Sequence, residues 1–185
     1  MLGAFLFASP MAQAAPNIGT GDVAGDNDSL LDSAPFELLS SPSLELVKTA
    51  FLTSTGAELT TGDSLPAGTQ VDFMIFVNNA SSIQITDVSI QDILNPLFLY
   101  SPGTIRLDNS VGDCGADCDT GEKAAIYAAA LLTSPLTDAV GGDAASYAVG
   151  PPETIDIGNE NVAGNSALNI TAQTVQALVF TVTVQ

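Results

Sequence analysis

The chain has 185 residues, 21 Asp and Glu against 3 Lys and Arg, no histidine, and a formal charge of −18. Displacing phosphate counterions takes cations, so nucleic-acid binding is excluded, as are nucleophile pairs and metal sites that depend on imidazole. The length suits one domain of ordinary size with a sizeable core, and 46% apolar against 13% charged residues sets the acids on a chain otherwise rich in Ala, Val, Leu, Thr and Ser.

Residues 1–14 read as the end of a secretory signal: a short apolar core (Leu2 to Ala8), the helix breaker Pro10, and Ala12-Gln13-Ala14 as a small-residue cleavage site. No Lys or Arg precedes Lys48, so the usual positive n-region is missing, and the expectation is that the natural start lies upstream or the leader is clipped. The run is too short to cross a bilayer, which takes about 20 apolar residues. The alternative reading of the same run is a buried strand. Residues 15–42 are rich in Gly, Asp and Ser and read as an extended acidic arm, whose one apolar stretch is 35–39, Pro-Phe-Glu-Leu-Leu.

Strand periodicity begins at 43. Leu44, Leu46, Lys48 and Ala50 alternate with Glu45, Val47, Thr49 and Phe51. After turn residues at Gly56, Gly62 and Gly68, Val71, Phe73, Ile75 and Val77 share one parity and Asp72, Met74, Phe76 and Asn78 the other. Ile83 and Ile85 then share one parity and Val88 and Ile90 the opposite one, which predicts a bulge at Thr86-Asp87, because a regular strand cannot change faces. Ile105 to Leu107 is a short predicted strand. The Ala-rich stretch from Glu122 to Leu132, with Asp119 or Thr120 as N-cap and Ile126, Ala129 and Ala130 on one face, predicts a helix stopped by Pro135. Short strands are predicted at 147–149 and 154–157. In the final one, Leu178, Phe180, Val182 and Val184 alternate with Val179, Thr181 and Thr183. Many short strands, frequent turns and one lone helix indicate a mainly β fold, an antiparallel β-sandwich with a short helical insertion.

Several of these segments resemble a known family. Residues 44–49 (Leu-Glu-Leu-Val-Lys-Thr), the Pro66-Ala67-Gly68 turn leading into Val71 to Val77 and Asn79, Val88 to Pro96 with Asp92, and the closing alternation from Leu178 to Val184 are together similar to the conserved repeat domain of bacterial and archaeal surface proteins, domain of unknown function eleven. The likeness covers 44–96 and about 168–185. Ala67, Asn95 and Gln176 depart from the family pattern, and about 97–167 is longer and more helical, an insertion by comparison. The resemblance implies an immunoglobulin-like domain at 43–185, exported, serving as a structural or adhesive component of a cell surface, filament or extracellular matrix. It carries over no catalytic residues.

Four chemistries are candidates. Asp113, Asp117, Asp119 and Glu122, in the acidic loop around Cys114 and Cys118, could hold calcium, which favours clustered carboxylates. An EF-hand fails, since from Asp117 the fifth position is Gly121 and the twelfth Ala128. This makes a calcium-dependent binding module the alternative function, against a solvated acidic loop. Cys114 and Cys118 predict a local disulfide in an oxidising compartment, with two free thiols as the alternative. Lys48 shares parity with Leu44 and Leu46, so its amine is either a desolvated nucleophile for an isopeptide bond or a snorkelling ammonium with no identifiable partner. The uncharged, β-forming stretch from Leu178 to Val184 is read as an internal strand; at a sheet edge it would pair with another chain, with 35–39 as a complementary strand. Expected partners are therefore other surface or matrix proteins, or a second copy through edge strands, with no membrane span in the mature chain.

Overall fold

A computed structural model describes residues 4–8, 44–160 and 164–185. In chain order the elements are β1 (Ala4–Ala8), β2 (Leu44–Leu52), β3 (Ala57–Glu58), β4 (Gln70–Asn79), β5 (Ile85–Ile93), β6 (Phe98–Tyr100), β7 (Arg106–Asp108), α1 (Thr120–Leu131), β8 (Ala145–Ala148), β9 (Thr154–Ile157), β10 (Leu168–Ile170) and β11 (Thr174–Val184). They form a mainly β fold with one short helix. One antiparallel sheet runs β3-β2-β4-β11-β6, with β7 also on β11; the other runs β1-β5-β9-β8, with β10 also on β5. The arm at 15–42 and the cleavage site at 12–14 lie outside the described residues. Ala4–Ala8, inside the expected leader, takes the strand conformation of the alternative reading and pairs with β5 from Ala4 opposite Asp92 to Ala8 opposite Val88.

The main core lies between the sheets. Val71, Phe73, Ile75 and Val77 of β4 and Leu178, Phe180 and Val182 of β11 meet Val88 and Ile90 of β5, Ile155 and Ile157 of β9, and Leu168 and Ile170 of β10. A fully buried side chain of this size contributes about 1.5–3 kcal/mol of transfer free energy, so this layer dominates stability. The opposite parity of the same strands is also apolar and also buried. Met74 and Phe76 of β4, with Val175, Ala177 and Val179 of β11, lie under Ile126, Tyr127 and Ala130 of α1. This explains why β4 and β11 read as near-continuous apolar runs: the helix covers the face that would otherwise meet water. Of the face read as Ile126, Ala129 and Ala130, Ile126 and Ala130 are buried and Ala129 half-buried, while Tyr127 was missed.

The predicted break of parity in β5 is real. Leu168 pairs with Val88 and Ile170 with Ile85, so two residue steps on β10 oppose three on β5. Asp87 absorbs the extra residue at φ 57°, its N–H donating to Asn169 Oδ1 at 3.2 Å. The helix starts where the capping residues indicate. Asp119 Oδ1 accepts from the Glu122 N–H and Glu122 Oε2 from the Asp119 N–H, both at 2.8 Å.

The stretch 97–167 is woven into the sandwich. It supplies β6 and β7 to one sheet, β8 and β9 to the other, and the helix over the second core. Gly158, at φ 68°, ends β9 where a Cβ would run into the Val88 carbonyl oxygen and the Leu168 side chain, so no other residue fits this crossing.

Candidate functional site

Lys48 sits on β2 and Asp92 on β5, one on each sheet, and both point into the space between them. Lys48 Nζ lies 2.5 Å from Asp92 Oδ2, with the lysine side chain 12% exposed and the carboxylate 1%. The ammonium also lies 4.5 Å from the centroid of the Phe73 ring, whose π-face favours a desolvated cation. Among the described residues, Asp92 Oδ1 is buried with no hydrogen-bond partner. Burial pushes the Asp92 carboxyl above its ordinary range, and the charge and hydrogen bond of Lys48 pull it part of the way back. Asp92 was the residue missing from the sequence reading of Lys48. The signal existed: Asp92 shares parity with the core residues Val88 and Ile90, so an acid at a core position matched a lysine at a core position. Among the described residues no second carboxyl bonds to either group to relay a proton, so the arrangement is that of a buried ion pair clamping the two sheets.

A second polar cluster fixes the helix. Asp72, 2% exposed, points from β4 toward α1 and accepts from Tyr127 Oη and Thr181 Oγ1, each at 2.6 Å. The Tyr127 ring stacks on Phe51 at 4.1 Å and 4°. Burial and the neighbouring Asp72 charge raise the Tyr127 hydroxyl well above its ordinary value. On the main-core face of the same sheet Tyr100 Oη donates to Asp138 Oδ1 at 2.6 Å, and Asp138 Oδ2 also accepts from the Gly103 N–H at 2.8 Å. Tyr100 lies 4.4 Å from Tyr147, ring centre to ring centre, but is buried, so the two do not form an open stacking platform.

The four acids of the loop are not gathered at one point. Asp119 and Glu122 are occupied by the capping box, Asp113 Oδ1 accepts from the Gly115 N–H at 3.0 Å, and Asp117 is exposed. Among the described residues no three carboxylates bring their oxygens within 4.8 Å of one another. The group that comes closest is Cys114, Cys118 and Glu122, and its sulfurs are joined. Cys114–Cys118 is a disulfide with Cα atoms 5.0 Å apart. It fastens the loop beside the second core, where Cys118 is buried.

All three cations of the chain are engaged. Besides Lys48, Arg106 Nη1 donates to the Thr133 carbonyl, and Lys123 lies 3.8 Å from Glu58. Gln176, an anomaly at an apolar position, is buried and donates from Nε2 to the Asp108 carbonyl at 3.1 Å, tying β11 to the end of β7. Surface relief is shallow: an open depression of about 520 Å³ is lined by Leu52, Thr53, Thr69, Gln70 and Thr183, and another of about 510 Å³ by Leu94, Pro96, Phe98, Val149, Pro151 and Gln185. No helix among the described residues is long and apolar enough to cross a membrane. No family model, no curated protein and no solved structure matches the chain.

Proposed function

We propose that the chain is an exported, non-enzymatic structural or adhesive domain of a cell surface, filament or extracellular matrix. The observation that carries this reading is the cross-sheet clamp of Lys48 and Asp92. One of only three cations in a chain of charge −18 is spent inside the sandwich, bonded to a carboxylate whose second oxygen has no partner among the described residues. The same economy holds at other buried acids: Asp72 binds two hydroxyls that brace the helix, and Asp156 accepts from Gln91 and Asn159. Polar groups held this way stiffen a scaffold. They leave a shell of carboxylates outward, which keeps an exported protein soluble and repels its neighbours at low salt. The leader-like residues 1–14, the disulfide and the likeness of 44–96 and 168–185 to the surface-protein repeat domain support the same reading.

Fractionation of producing cells tests it. The protein is expected outside the cytoplasm, with its N-terminus at Ala15 and Cys114 and Cys118 oxidised. Reduced thiols in protein recovered only from the cytoplasm would overturn the proposal. Intact mass of the exported chain adds a check on Lys48: an ion pair keeps every atom, whereas an amide to Asp92 would be one water lighter.

A further inference from the structure

We propose that the outer edge of β5, from Val88 to Asp92, accepts a strand from the arm of a second copy of this chain, residues 35–39. The inference rests on the export reading, because export removes the strand that fills this edge. β9 and β10 share one side of β5: Leu168 pairs with Val88 there, and Ile157 with Ile90. β1 is the sole partner on the other side among the described residues. β1 is also the apolar heart of the leader, six residues before Ala14. Cleavage after Ala14 takes the strand away and leaves the β5 backbone donors and acceptors on that side unpaired. Val88, Ile90 and Asp92 of that edge are at most 2% exposed with β1 in place.

The exposed edge is not blunted as free edges usually are. Residues 88–92, Val-Ser-Ile-Gln-Asp, contain no Lys and no Pro, the bulge lies outside this stretch at Asp87, and the inward charge of Asp92 is neutralised by Lys48. A replacement strand must be short and extended, with apolar residues two apart for the core side. Within 15–43 that pattern occurs at Phe36 and Leu38, in an otherwise Gly-, Asp- and Ser-rich segment.

Reach favours a neighbour's edge over the chain's own. With 35–39 in the register of β1, residues 40–43 would have to descend from the level of Val88 to the start of β5, cross to the facing sheet, and reverse direction into Leu44. That route is about 20 Å, against about 17 Å of extended chain, with nothing left for the reversal. The arm as a whole extends to about 95 Å, well past one sandwich. The leader carries no charged side chain, so the processed copies still repel one another and added salt strengthens the association.

The test uses protein exported and processed by the producing cell. Its intact mass is measured first, and sedimentation and hydrogen exchange then follow at low and high micromolar concentration in moderate and high salt. Expected are oligomers that grow with concentration and salt, and exchange slowed about tenfold or more at both 88–92 and 35–39 as they form. The F36D/L38D variant is expected to stay monomeric with an unchanged melting temperature, and an excess of free peptide 33–41 to dissolve the wild-type oligomers while protecting 88–92. A processed protein that is monomeric throughout overturns the inference alone, with 88–92 protected if the arm folds back on its own edge and unprotected if the edge stays open. A mass that still includes residues 1–14 overturns the export reading and the inference with it.

Discussion

Lys48 and Asp92 allow a quantitative test of how the sandwich is held. Removing one partner leaves the other as an uncompensated buried charge, a loss of about 3–5 kcal/mol. The two removals are not equivalent. Lys48 keeps 12% exposure and a long apolar stem, so in D92L its ammonium can reach water. Asp92 keeps 1%, and its second oxygen has no partner among the described residues, so in K48M the carboxylate has no escape except protonation. K48M should therefore fall at the upper end of the range and D92L at the lower. At about 2–4 °C per kcal/mol for a domain of this size, the melting temperature drops by about 6–20 °C. The double variant K48M/D92L, apolar on both sides, should be about as stable as the wild type or up to about 4 kcal/mol more so. The pH dependence separates the cases further. Burial raises the folded-state carboxyl of Asp92 above its unfolded value near 4, and without Lys48 nothing pulls it back. Between those two values the folded state holds the proton and the unfolded state does not. Stability of K48M therefore rises as pH falls through the raised value, and its deficit against K48M/D92L shrinks toward acid. Urea unfolding of the four proteins at several pH values gives the coupling energy directly. Single variants that each cost under about 0.5 kcal/mol and add without coupling would refute the clamp.

The other expectations concern the helix, the loop and the acids. In Y127F, Asp72 loses one of its two hydroxyl donors in a buried site, and stability should fall by about 1–3 kcal/mol in chemical denaturation. All three tyrosines are held above their ordinary ionisation. Absorbance titration should therefore show phenolate forming later in the folded protein than in the unfolded chain, with stability lost as pH climbs past the unfolded tyrosine value. Cys114→Ala/Cys118→Ala should lose no more than about 2 kcal/mol, because so short a loop restricts the unfolded chain little. Calorimetry with calcium and with chelator should give the same melting temperature, since Asp113, Asp117, Asp119 and Glu122 do not converge; a rise specific to calcium would restore the loop as a cation site.

Much of this architecture was legible from alternation, because side-chain parity is local. The strands at 44–52, 70–79 and 174–184, the parity break at Asp87 and the cap at Asp119 each follow from a few neighbouring residues. So, in principle, does the clamp: Lys48 and Asp92 each stand in the apolar register of their own strand. What joined them could not be read, because two charges at core positions become partners only once their sheets are stacked. The three-residue strands β6 and β10 went unread, although β7, equally short, was marked by Ile105 and Leu107. The membership of 97–167 in both sheets depends on pairings across the whole chain. Tyr127 escaped for a different reason. Its helix is Ala-rich on every side, so polarity does not mark a face, and burial is decided by Phe51 and Asp72 beneath it.

The least legible property is which strands lie at the edges, and function turns on it. Residues 178–184 close the chain and are uncharged, which makes them the obvious candidate for pairing with another molecule. Yet β11 has β4 along one side and β6 and β7 along the other, and its backbone is spent within the sandwich. Position in the sequence does not set position in a sheet, since a late strand can enter between two earlier ones. Besides β8 and the pair β6 and β7, the edges fall to two strands: β2, covered near its end by β3, and β5, covered by β1. These two strands carry the clamp, with Lys48 on one and Asp92 on the other. An edge that loses its neighbour frays unless something anchors it. The ion pair supplies that anchor from the core side, so β5 can keep its shape through the interval between losing one strand and receiving the next. By this reasoning K48M should weaken strand acceptance as well as the fold, and K48M/D92L, with both charges gone, should recover both together.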